Sequence, residues 1–162
     1  MQKINEKTIR DAKQLQGPSE QNTAQQIRLG SKRRGEFGEA AFLRKAASMG
    51  FGVSKPWGDS DRYDLVVDVG GRMLRVQVKS AHRLCGGGGK GYNIRARCRA
   101  ASYREDEIDF LVAYIVPEDI WYIFPPSAFK GMTSIQLYPY SGKRTSRFEQ
   151  YREAWGAFHA EK

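Results

Sequence analysis

Apolar and polar residues alternate most cleanly from Met73 to Ser80. Leu74, Val76 and Val78 fall on one side, and Arg75, Gln77 and Lys79 on the other. A period of two predicts a half-buried β-strand. Just upstream, Asp64-Leu65-Val66-Val67-Asp68-Val69 reads as a second strand, with Gly70-Gly71 between the two as a two-residue hairpin turn. Asp64 and Lys79 lie about equally far from that turn, so the hairpin is expected to bring Asp64 across from the end of the returning strand. A short strand over 51–55 is expected to end at Pro56. Residues 92–99 alternate again, with Ile94, Ala96 and Cys98 against Arg95, Arg97 and Arg99. Two further strands are expected over 108–116 and 120–124, around Pro117-Glu118-Asp119, and an edge strand over 134–137.

The helical period appears in two places. Residues 34–49 are read as a helix stopped by Gly50, with Ala40, Leu43, Ala46 and Ala47 as its packing stripe. Glu36 and Glu39 fall in the same stripe. An acid in the first turn answers the helix dipole, which accounts for Glu36. Glu39 lies deeper, between Leu43 and Ala46, where a carboxylate is costly without a partner, so it is assigned to function. Near the C-terminus Phe148, Tyr151, Trp155 and Phe158 stand at helical spacing and predict a second helix capping the core. Strands and helices together give an α/β fold, a mixed sheet flanked by these two helices. Residues 34–162 form the domain. Residues 1–33 read as a basic extension: a short amphipathic helix over 4–15, a break at Gly17-Pro18-Ser19, a polar run, and Lys32-Arg33-Arg34 at its end.

Charge narrows the partners. The chain of 162 residues carries a formal net charge of +9, which favours a polyanion such as nucleic acid. No stretch approaches the ~18–20 apolar residues of a membrane-spanning helix, and residues 1–16 lack an apolar signal-peptide region. Cys85 and Cys98 make neither a CxxC pair nor a zinc spacing, and read as reduced thiols of a cytoplasmic, nucleoid-associated protein. The glycine run 86–91 is not a phosphate-binding P-loop, because Leu84 stands where the pattern has its first glycine and Gly91-Tyr92, with no serine or threonine, follows Lys90. It is read as a flap.

Phosphodiester hydrolysis needs a hard cation, oxygen ligands to hold it and a positive group near the reacting water. On the hairpin, Asp64 suits the main carboxylate ligand. Gln77 offers a side-chain oxygen, Val78 a carbonyl and Lys79 the positive charge, and Glu39 joins them if its helix packs on this sheet. The pattern alone is equally served by a solvated strand face. Three segments then stand in a telling order: Gly38-Glu39-Ala40, Tyr63-Asp64-Leu65-Val66-Val67 and Arg75-Val76-Gln77-Val78-Lys79-Ser80. They resemble the PD-(D/E)xK endonuclease superfamily, and most of all its branch of small homing endonucleases from group I introns, where glutamine replaces the usual acid of the third motif. Pro56, Gly58 and Asp59 fit that branch, as do the runs from Asp109 to Pro117 and from Trp121 to Pro125. The similarity covers residues 35–158. It implies a restriction-endonuclease-like core and Mg2+ (or Mn2+) as cofactor, with no organic cofactor. Glu39, Asp64, Gln77 and Lys79 carry over as the catalytic positions. Tyr63 replaces the proline of the family name, and the neutral Gln77 leaves the site one negative charge short.

A DNA-binding surface is expected from Lys32, Arg33, Arg34, Arg75, Arg83, Lys90, Arg95, Arg97 and Arg99, because no acid occurs between Asp68 and Glu105. Arg95, Arg97 and Arg99 would form a stripe about 13 Å long on the sheet that carries the site. Cutting two strands with one small site calls for two subunits, so a homo-oligomer, dimer or tetramer, is expected. The reading is a site-specific, homing-type double-strand endonuclease. The alternatives are a junction-resolving or repair nuclease, and a DNA-binding module that kept the fold without the chemistry.

Overall fold

The computed structural model describes residues 30–58, 60–85, 91–98, 100–140 and 147–160. The expected helix over 4–15 and most of the glycine flap lie outside them. One long helix, α1 (Ser31–Ser48), precedes nine strands: β1 (Gly52–Ser54), β2 (Leu65–Val69), β3 (Arg72–Ala81), β4 (Tyr92–Arg95), β5 (Arg97–Cys98), β6 (Ala101–Ser102), β7 (Phe110–Ile115), β8 (Ile120–Phe124) and β9 (Ser134–Leu137). The central sheet has the order β1-β2-β3-β7-β8. It is antiparallel except where β3 meets β7. The mixed α/β architecture matches the expectation.

The β2–β3 hairpin turns at Gly70 and Gly71, both at positive φ (63° and 90°), the backbone that a tight two-residue turn requires. Its rungs run from Val69 opposite Arg72 to Leu65 opposite Val76. The next rung outward therefore sets Asp64 against Gln77, two residues short of the expected Lys79. Counted from the middle of the turn, 64 and 77 are the equidistant pair.

Each face of the sheet has its own core. Leu65, Val67, Leu74, Val76, Val78, Val112 and Ile123 pack with Phe42 and Ala46 of α1 and with Trp155 and Phe158. Leu111, Ala113, Ile115, Tyr122 and Phe124 pack on the other side against Tyr92, Ile94, Ile135 and Leu137 of the separate β4–β9 ladder. Gln77 and Lys79 alternate out of the first core toward this second side.

Two expectations are corrected. The buried face of α1 is Gly38, Phe42 and Ala46, whereas Ala40, Leu43 and Ala47 are exposed. Phe42 offers far more apolar surface than the alanines of the expected stripe, and burying it sets the face. The second error concerns the C-terminal aromatics, which form no α-helix. The tail makes two short 3-10 turns, Glu149–Tyr151 and Trp155–His159. Between them it runs along the outer edge of β8: Glu153 donates its N–H to the Trp121 carbonyl at 2.8 Å, and its carboxylate accepts from the Trp121 N–H at 2.8 Å. Glu153 takes positive φ (48°) as the chain crosses the edge. Phe148 thus reaches one core while Trp155 and Phe158 reach the other. The aromatics cap the core as expected, by wrapping an edge that would otherwise lie open.

A clasp fixes the parallel junction. Asp109, just before β7, accepts from the Arg75 backbone N–H at 2.8 Å and from Arg75 Nε at 3.0 Å, and its own N–H donates to the Arg75 carbonyl at 2.9 Å.

Candidate active site

Asp64 stands one residue before β2, where the backbone ladder gives way to its side chain. Its N–H still donates to the Val76 carbonyl at 2.9 Å. Its Oδ2 accepts from the Val78 N–H at 2.9 Å and from Gln77 Nε2. Burial is the main cause that pushes its pKa above the ordinary carboxylate value. The positive charge of Lys79 and the Val78 N–H act against that, and the negative charge of Glu39 acts with it.

Gln77 is 4 % exposed. Its amide nitrogen faces Asp64, and the same nitrogen lies 3.3 Å from the Val78 carbonyl. The oxygen expected to serve as a ligand is thus turned away, half a rotation of the terminal amide from facing Asp64. Lys79 stands beyond Gln77 on the same face. Its ammonium lies 5.9 Å from the centre of the Tyr103 ring, a cation–π contact that holds the charge beside Asp64.

Glu39 reaches this end of the hairpin because α1 approaches β3 closely. A Cβ on Gly38 would meet Ser80 Cβ and Oγ at 3.0 Å, so glycine lets helix and strand approach more closely than a side chain would without a shift of a few tenths of an ångström. Ser80 Oγ donates to the Arg34 carbonyl at 3.1 Å, fastening the first turns of the helix to the strand. Glu39 accepts from Lys55 Nζ at 2.7 Å, and that bond is the main cause that raises the lysine's pKa. The structure therefore gathers Asp64, Gln77, Val78 and Lys79 at one point and sets Glu39 within electrostatic reach. Lys55, Tyr103 and Ser80 escaped sequence reasoning. Lys55 ends a short expected strand and Tyr103 lies in an unpatterned segment, and only tertiary contact gives them meaning.

The donor set suits a hard divalent cation such as Mg2+ or Mn2+. Two carboxylates and a backbone carbonyl are all oxygen donors, and a buried carboxylate of raised pKa gains most from a nearby cation. Among the described residues no group of three or more His, Cys, Asp and Glu converges.

The expected basic surface divides. Arg34 and Arg83 line one polar cleft of about 380 Å3 with Ser80, His82 and Asn93, next to the site end of β3. Lys32 and Arg33 are exposed on the first turn of α1, which starts three residues earlier than expected and leaves Glu36 beyond its first turn. The continuous arginine stripe does not form. Ala96 interrupts the strand, Arg95 lies on β4 opposite Ser134, and Arg97 lies on β5, neither in the central sheet. Lys90 and Arg99 fall outside the described residues. Arg75 is taken up by Asp109, and Arg72 by the carbonyls of Phe158 and Ala160.

The sequence profile described as PD-(D/E)XK endonuclease matches residues 29–158. A solved structure described as a bacterial homing endonuclease, I-Ssp6803I, is similar at a TM-score of 0.70 and 34 % sequence identity, over 80 % of this chain and 91 % of that one. No curated protein matches the chain.

Proposed function

Because this chain belongs to the PD-(D/E)XK endonuclease family, we propose that it is a metal-dependent endodeoxyribonuclease that makes site-specific, homing-type double-strand cuts. The observation that carries this reading is the meeting of Asp64, Gln77 and Lys79 at the open end of one hairpin, with Glu39 brought to the same end by α1. Asp64, the Val78 carbonyl and Glu39 would hold the cation, with Gln77 contributing its oxygen after an amide rotation. When bound, magnesium supplies Lewis acidity toward the scissile phosphate and makes a bound water more acidic. Lys79, steadied by Tyr103, presents a fixed positive charge to the charge that develops on phosphate. Lys55 holds the Glu39 carboxylate in place through their 2.7 Å ion pair.

The basic residues support a DNA substrate. Lys32 and Arg33 occupy the N-terminal turn of α1, where their charge adds to the positive end of the helix dipole. That placement is unfavourable in the free protein and is relieved by a phosphate. Arg34 and Arg83 in the adjoining cleft, with Arg95 on β4, extend the same field. Cleavage of both strands is assigned to a homo-oligomer, each subunit cutting one strand.

One observation favours the rival reading, a DNA-binding module without chemistry. The Gln77 amide nitrogen stands between Asp64 Oδ2 and the Val78 carbonyl, two of the oxygens assigned to the metal. The deciding experiment incubates duplexes of varied sequence with the wild type and with Asp64→Ala and Lys79→Ala, with and without magnesium, and maps the ends. Magnesium-dependent cuts that fall at least ~100-fold in both variants, with binding retained, support the nuclease. Binding without cuts in magnesium or manganese supports the module.

A further inference from the structure

We propose that Trp57 is a stacking platform for a nucleic-acid base beside the cleavage site. This inference rests on the DNA-cleaving reading above and goes beyond it in assigning a contact to bases. Of the chain's three tryptophans, Trp121 and Trp155 are buried, at 3 % and 9 % exposed, while Trp57 is fully exposed. Trp57 belongs to neither core cluster and has no ring neighbour among the described residues. An indole is the largest apolar surface a residue can offer, and leaving it wholly in water points to a partner that covers it.

The backbone presents the ring deliberately. Pro56 restricts the approach, and Gly58 at φ 85° turns the chain immediately after. The turn leaves β1 at the site end of the hairpin. Ser54 pairs with Val66, two residues past Asp64, and Lys55 binds Glu39 at 2.7 Å while adding its charge to the field at Asp64. The partner must accept a flat apolar face and lie against the end of the hairpin where, on the reading above, DNA is held by a protein of net charge +9. A DNA base meets both conditions, through stacking on an exposed base or insertion at a base step.

Trp57 is the exposed indole of the three, so the part of the intrinsic emission that iodide can quench reports on this residue. Duplex DNA is titrated without a cleavage-supporting metal into the wild type, Trp57→Phe and Trp57→Ala, with binding followed separately by anisotropy of a labelled duplex. The expected result is emission quenched by DNA and shielded from iodide in the wild type, with that quenching component lost in Trp57→Phe. Affinity should be about tenfold weaker in Trp57→Ala. Unchanged, iodide-accessible Trp57 emission at saturating DNA overturns the stacking assignment, and if the wild type still cleaves, the nuclease reading stands without it. Emission that shifts with protein concentration in the absence of DNA assigns the indole to a contact between copies and equally overturns it. Absence of any DNA binding removes both readings.

Discussion

Asp64 and Gln77 face each other across the open end of the β2–β3 hairpin, and the glutamine donates its amide nitrogen to the aspartate. The neutral amide gives Asp64 a hydrogen bond that favours the ionised carboxylate but adds no charge, and burial outweighs it to raise the Asp64 pKa.

Gln77→Glu changes that balance. A carboxylate ligates magnesium more strongly than an amide oxygen, so the variant is expected to bind magnesium at least several-fold more tightly in calorimetric titration. Unchanged or weaker binding would remove Gln77 from the metal site.

The raised pKa of Asp64 gives a pH-dependent stability. The folded state holds the proton more readily than the unfolded chain. The stability linked to Asp64 is therefore complete below the unfolded value of about 3.8, and is lost as pH rises through the elevated folded value. Asp64→Asn has no such loss. In chelator at neutral pH it is expected to melt at a higher temperature than the wild type, with the gap closing toward the acid end. Magnesium should stabilise the wild type and leave Asp64→Asn nearly unmoved. Thermal melts across pH with and without magnesium provide the check, and equal melting of the two proteins at neutral pH would contradict it.

Arg75 and Arg95 look alike in the sequence and are expected to behave oppositely. Arg95→Ala should leave unfolding unchanged and reduce the slope of log binding constant against log salt by ~0.9. Arg75→Ala removes the guanidinium from a nearly buried Asp109, leaving the two backbone bonds of the clasp, and should cost about 2–3 kcal/mol of stability, with little change in that slope. Denaturant titrations beside salt-dependent binding separate them.

Gly38→Ala tests the helix–strand spacing. On helix propensity alone alanine would stabilise by up to ~1 kcal/mol. The contact at 3.0 Å with Ser80 works against this, because Ser80 Oγ can rotate but its Cβ cannot. The expected outcome is a net loss of about 1 kcal/mol or more and weaker cleavage as Glu39 is displaced, both partly recovered by adding Ser80→Gly. A simple gain in stability would show that the helix is free to move.

The hairpin was legible in the sequence because its information is local. Alternation assigns the faces of β3 and two adjacent glycines fix the turn, but the partner expected for Asp64, Lys79, lies two residues beyond the observed Gln77, because the register is set by distances counted from the middle of the turn. Glu39 stood out as a carboxylate on a helix whose packing face was itself misplaced, because alanines at helical spacing are weaker evidence than one Phe42. Lys55 against Glu39 and Tyr103 against Lys79 are contacts across long stretches of chain, and no periodicity announces them. The C-terminal aromatics failed as a helix because i, i+3 and i+4 spacing also arises when a chain wraps an edge and feeds two cores in turn. The arginines of 95–99 failed as a stripe because alternation persists through Ala96 although the ladder does not.

The clasp between Arg75 and Asp109 bears on how the molecule folds. The β2–β3 hairpin closes over a two-residue turn and can form early, whereas β7 must return across the whole stretch from β3 to pair in parallel. The clasp joins residues 34 apart in the chain, at the mouth of that parallel ladder, just ahead of Val76 opposite Phe110. Once made, it turns a long search into a zipper with a fixed starting tooth. Tyr103, which steadies Lys79, lies in the stretch that this step closes. In that order the hairpin would supply half of the candidate site before the seam closes, and any cleavage activity recovered on refolding should follow the closing of this seam rather than the earlier gain of strand structure.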